Sequence, residues 1–155
     1  KARELGFLTV AHAGEEGPAA YIREALDLLK INRIDHGNNS KDCEMLMNEI
    51  AEKRIPLTMC PLSNLKLAVV KDLKEHPLKK FLNKNIAVTI NSDDPAYFGG
   101  YLNENLIAVQ RALDLSHDDI VTLVKNSFEA SFISEEQKEK YLQSVDDFVA
   151  EFVNN

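Results

Sequence analysis

Short aliphatic and β-branched runs alternate along this chain with longer stretches in which apolar positions recur every three or four residues. The runs are Phe7 to Ala11, Arg33 to Asp35, Ile55 to Met59 and Ile86 to Ile90, and each reads as a buried parallel strand. Between them lie helical patterns, clearest in Tyr21 to Lys30 and in Cys43 to Arg54, where Met45, Leu46, Ile50 and Ala51 are expected on one face. Strand and helix in alternation predict an α/β fold of βα units joined by right-handed crossovers. Four such units amount to half of a (β/α)8 TIM barrel, whose full length is about 250 residues.

After the fourth strand the pattern stays helical. Ser116 with Asp119, and Ser134 with Gln137, have the spacing of capping boxes that start helices. Tyr141, Val145, Phe148, Val149 and Phe152 then recur at helical spacing. No low-complexity tract or linker divides residues 1–155, which are expected to form a single domain, the C-terminal half of a barrel followed by C-terminal helices. The opening Lys1 to Gly6 reads as the last turn of a helix closed by a glycine, which implies a truncated beginning. A half barrel also has two open sheet edges. The expected partner is therefore the N-terminal half of the same polypeptide.

Composition narrows the function classes. With 155 residues, 45% of them hydrophobic, the chain can bury a sizeable core. Its 25 acidic residues outnumber 18 basic ones, for a net charge of −7, and its largest basic cluster is Lys79-Lys80. Nucleic acid is not an expected partner, because binding it requires many phosphates to be neutralised. No apolar run approaches the roughly 18 residues of a membrane span, so a membrane is not expected either. Two cysteines, Cys43 and Cys60, without a Cys-x-x-Cys pair, offer neither a disulfide framework nor a thiolate zinc knuckle, and suit a reducing cytoplasm.

The chemistry is carried by position. Each predicted strand ends in polar groups: His12 and Glu15, His36, Cys60 with Ser63 and Asn64, and Asp93 with Asp94. Barrel enzymes assemble their sites at that end of the strands. In His12-Ala13-Gly14-Glu15 a tight turn lets one residue hold a metal while the other faces a substrate, although an isolated His-x-x-Glu equally describes a structural histidine beside a solvated carboxylate. His36 can accept or orient a proton near neutral pH. The adjacent carboxylates Asp93 and Asp94 repel unless a cation or a shared proton stabilises them; the alternative is an Asp-Asp-Pro turn in which Asp93 caps a helix. Ligands of this hard N/O type suit a catalytic zinc, and His12 and Asp93 supply two of the three or four such a site needs. His76 and His117 are expected at the surface.

The motifs His12-Ala-Gly-Glu15, Arg33-Ile-Asp-His-Gly37, Cys60-Pro-Leu-Ser-Asn64 and Asn91-Ser-Asp-Asp-Pro95 occur in an order and spacing that resemble the metal-dependent deaminases acting on adenosine and adenine. The resemblance implies that His12 and Asp93 are ligands of one Zn2+ and that Glu15 gives a proton to the purine ring. It implies further that His36 orients the attacking hydroxide and that Asp94 contacts the purine. It departs from the family in lacking the His-x-His pair that completes the zinc site, so the segment alone is expected to be inactive and to bind zinc weakly. The Cys60 to Leu67 and Pro95 to Asn105 segments are more similar to the adenine branch. Hydrolysis of adenine to hypoxanthine and ammonia in purine salvage is therefore the expected activity, with adenosine as the alternative substrate. An alternative of another class is a half barrel that binds or assembles without catalysis.

Overall fold

The structure, a computed structural model, describes residues 1–153. Four strands, β1 (Val10–Ala13), β2 (Arg33–His36), β3 (Leu57–Met59) and β4 (Val88–Ile90), lie parallel in the order β1-β2-β3-β4. Sequential order with all pairs parallel requires a crossover after each strand. These are α1 (Ala19–Glu24), which opens into a π-helical segment over Ala25–Leu29, α2 (Glu44–Glu52), and α3 (Pro61–Lys66) with α4 (Leu78–Asn83). Beyond β4 come α5 (Pro95–Phe98), α6 (Leu102–Leu113), α7 (His117–Glu129) and α8 (Glu135–Val153). This is the arrangement of half of a (β/α)8 barrel.

The core lies between the sheet and its crossover helices. Ile34, Leu57, Met59 and Val88 from the strands meet Ile22, Leu46, Met47, Ile50, Leu78 and Phe81, all fully buried. Each such side chain contributes about 1.5–3 kcal/mol through burial. On α2 the buried residues are Leu46, Met47 and Ile50, while Met45 is exposed, so the apolar face sits one position away from the expected one. The other face of the sheet is polar: the Thr58 hydroxyl donates to Asp35 Oδ1 at 2.7 Å, and Asn91 Nδ2 donates to Thr89 Oγ1 at 2.8 Å. Arg33 closes the N-terminal end by donating to the Ala130 carbonyl at 3.1 Å and lying 4.5 Å over the Phe132 ring.

The first strand starts three residues later than its sequence suggests. Phe7 and Leu8 are exposed, and the ladder begins with Val10 opposite Arg33, after the Asn32 amide has bonded the Thr9 carbonyl at 2.8 Å. Among the described residues β1 and β4 each pair on one side only. The opening turn is a 3-10 helix, Arg3–Leu5, closed by Gly6 at φ 83°. Both capping boxes form: Ser116 Oγ accepts from the Asp119 amide at 3.1 Å, and Ser134 Oγ from the Gln137 amide at 3.3 Å. Among the described residues no helix is long and apolar enough to cross a membrane.

Candidate active site

His12 lies one residue before the end of β1, His36 ends β2, Cys60 follows β3 directly, and Asp93 lies three residues beyond β4. Because the strands are adjacent and parallel, all four residues reach one end of the sheet. Ligand atoms of His12, Glu15 and His36 lie within 4.8 Å of one another, as do those of His36, Cys60 and Asp93, so His36 is common to both groups.

Two of these residues are held in the left-handed region, His36 at φ 67° and Asp93 at φ 55°. A non-glycine residue there costs roughly 1–3 kcal/mol and persists only where its surroundings over-determine it. For His36 the surroundings are visible: the Gly37 amide bonds the Ala13 carbonyl at 3.1 Å and the Asn39 amide bonds the Gly14 carbonyl at 2.7 Å. The Asn39 side chain adds donations to the Glu15 and Gly17 carbonyls, both at 2.9 Å. The loops after β1 and β2 are thus stitched together, which sets Glu15 beside His36.

His36 is buried, with Nε2 3.1 Å from His12 Nδ1 and Nδ1 3.2 Å from Glu15 Oε1. The latter contact is close but lies off hydrogen-bond direction, which leaves the buried Nδ1 without a directional partner. Burial pushes the His36 imidazole below its usual range, against the opposing pull of Glu15 and Asp93. Cys60 is driven the other way, up to about 12, by burial and then by the Asp93, Glu15 and Asp35 carboxylates. In this environment the thiol keeps its proton, which it would have to release in order to bind a metal. The remaining donors are imidazole and carboxylate, the set that suits a catalytic zinc. Asp94, not Asp93, takes the N-cap position of α5, and its side chain makes no cap bond there. Neither carboxylate is consumed in capping that helix, and both are exposed at the strand ends.

His76 is not at the surface. It is buried between the exposed Glu75 and the buried Pro77, while His117 is exposed as its sequence suggests. Charged neighbours disguise His76, because the chain dips inward as Pro77 and Leu78 enter the core. Its Nε2 lies 3.2 Å from Asn64 Oδ1 and 3.5 Å from Asn38 Nδ2, and Asn64 Nδ2 donates to Glu15 Oε1 at 3.0 Å. Asn38, Asn39 and His76 carry no separate sequence signal beyond a polar run after a strand-ending glycine and a histidine before proline.

Burial lowers the His76 pKa to about 4, with the Lys41 charge adding to the effect. An unfolded histidine takes its proton near about 6.5. Between these values the unfolded chain binds more protons, so the stability due to His76 is complete above about pH 6.5 and is lost as pH falls toward 4. The urea midpoint should fall across that window, while the ring 15N shifts of His76 stay those of a neutral imidazole down to about pH 5. A ring that protonates near pH 6.5 would contradict its burial.

Parallel strands thus bring a histidine, a carboxylate three residues on, a second histidine and an Asp pair to one end of the sheet, a set of donors that could hold a metal ion. The sequence model of the adenosine deaminase family matches residues 1–148, and the chain belongs to that family. It is 59% identical over 145 residues to the adenine deaminase of Acinetobacter baylyi, covering 94% of this chain and 44% of that protein. The crystal structure of adenine deaminase from Arthrobacter aurescens superposes with a TM-score of 0.93 at 44% identity, covering 96% of this chain and 46% of the other. An amidohydrolase from Burkholderia ambifaria with bound Zn shares the fold, with a TM-score of 0.82 at 24% identity over 96% of this chain and 44% of its own. The chain thus spans less than half the length of these proteins.

Proposed function

We propose that this segment contributes the C-terminal half of an adenine deaminase barrel, and that the other half of the barrel lies on the same, longer polypeptide. The observation that carries this reading is the 59% identity to an adenine deaminase across a segment that includes every strand-end group of the site. In it, His12 and Asp93 hold one zinc ion together with ligands from outside residues 1–155. When bound, the metal makes a nucleophile of water at neutral pH by lowering its pKa.

The chain's own residues then divide the remaining work. His36 is neutral in its buried position, so it can take and orient a proton of the attacking water. Glu15 delivers a proton to the ring nitrogen next to C6 as the water oxygen adds there, which prevents negative charge from accumulating on the ring. Asp94 accepts a hydrogen bond from the purine. The C6 amino group takes up the proton that His36 accepted and leaves as ammonia, the C6 hydroxyl proton returns to Glu15, and hypoxanthine remains. Free Cys43 and Cys60 fit a cytoplasmic enzyme.

The substrate is tested on the full-length polypeptide loaded with zinc. After the Asp pair, Phe98 is buried against Tyr97, whereas Tyr97 and Tyr101 are exposed and remain available to crowd a ribose. Adenine should exceed adenosine in kcat/KM by at least about tenfold, equivalent to about 1.4 kcal/mol. Equal or better turnover of adenosine would transfer the assignment to adenosine.

A further inference from the structure

We propose that His76 is a positioning residue for Glu15, acting through Asn64 to fix which carboxylate oxygen carries the transferred proton. The proposal rests on reading Glu15 as the proton donor.

The direction of the hydrogen bonds follows from one donor that cannot be reversed. The backbone amide of Leu78 donates to His76 Nδ1 at 3.3 Å, so Nδ1 is an acceptor and the neutral ring carries its hydrogen on Nε2. That Nε2 faces Asn64 Oδ1 at 3.2 Å, and Asn38 Nδ2 donates to the same oxygen at 2.9 Å. With Oδ1 held by two donors, the Asn64 amide can present only its NH2 group to Glu15, and Nδ2 does so at 3.0 Å from Oε1. All three members of the inner network, Asn38, Asn64 and His76, are buried, so no water competes to flip the amide. Oε1 also faces His36 Nδ1 at 3.2 Å. The Asn64 donation alone already occupies Oε1 as an acceptor, and Oε2 is left as the place for the acidic proton. Without the Nε2 hydrogen, the Asn64 amide loses a reason to keep its orientation, and a flipped amide would set an oxygen against Oε1.

The test uses the zinc-loaded full-length polypeptide with adenine. His76→Leu removes the donor, whereas His76→Gln places an amide N–H near the position of Nε2. His76→Leu should lower kcat by about 10- to 100-fold, the range typical of groups that orient a reacting side chain, with zinc content unchanged and KM within about threefold. His76→Gln should recover most of that rate. In a Glu15→Gln background, His76→Leu should change the residual rate by less than about twofold, because the donor it positions is gone. Unchanged kcat in His76→Leu, equal losses in the two His76 variants, or the full loss persisting in the Glu15→Gln background would each overturn the proposal. If His76→Leu does not fold, the His76 tautomer still decides: 15N NMR of the wild type should show Nε2–H, and Nδ1–H would reverse the relay and end the proposal. A wild type that turns over neither adenine nor adenosine would instead defeat the functional reading, and the tautomer would still judge the relay.

Discussion

Glu15→Gln, made in the full-length polypeptide, should keep its zinc and lose about 10²- to 10⁴-fold in turnover, the usual contribution of a positioned general acid. The substitution is close to isosteric, and the amide oxygen can still accept from Asn64 Nδ2, which lies 3.0 Å from Oε1. What it cannot do is release a proton. Asp93→Ala makes the opposite cut, taking away a carboxylate that shares its cluster with His36 and Cys60. That variant should lose metal and rate together, because it removes one of the two ligands assigned to this segment while leaving Glu15 in place. Metal content of both purified variants, set beside their kcat, separates the roles. The comparison has force because Glu15 also stands within 4.8 Å of His12 and His36, close enough to be a ligand itself. Zinc lost equally from both variants would make Glu15 a ligand and remove it as the proton donor.

The strand-end groups were legible in the sequence because parallel topology converts a one-dimensional rule into a place. A polar residue following each apolar run must emerge at the same end, and His12, His36, Cys60 and Asp93 do. The start of β1 was not legible, since Phe7 and Leu8 are as apolar as a strand yet precede the point where β2 offers partners. Met45 and Met47 exchanged places for a similar reason: either fits a helix stripe, and packing against the sheet decides. His76 was hidden most deeply. Its charged neighbours describe a surface loop, and only the three-dimensional meeting of Asn38, Asn64 and His76, spread over 38 residues of sequence, shows a buried network. Support for a site residue comes from elements far away in the chain, and local pattern carries no trace of it.

Gly14→Ala should cost about 2–5 kcal/mol of stability and reduce turnover as well, although it touches no reacting group. Gly14 sits in the turn between His12 and Glu15 at φ +66°, where a side chain adds about 1–2 kcal/mol of strain. A Cβ there would come within 2.3 Å of Ile22 Cδ1 and 2.6 Å of Ile22 Cγ1. Ile22 is fully buried in α1, so it has no free space to turn into, and overpacking of this kind costs about 1–3 kcal/mol more. Either the turn or α1 must shift, and the turn carries Glu15 to its 3.2 Å contact with His36. A displacement on the order of 1 Å is enough to cost about 10²-fold in rate. Gly6→Ala is the matched control: φ is +83°, but nothing lies within 4 Å of its added Cβ, so only the strain of about 1–2 kcal/mol applies. Urea midpoints and kcat of the two variants in the full-length polypeptide should therefore diverge, with Gly14→Ala the less stable and the only one slowed. Equal destabilisation, or a Gly14→Ala enzyme with wild-type kcat, would show that the turn yields without moving Glu15.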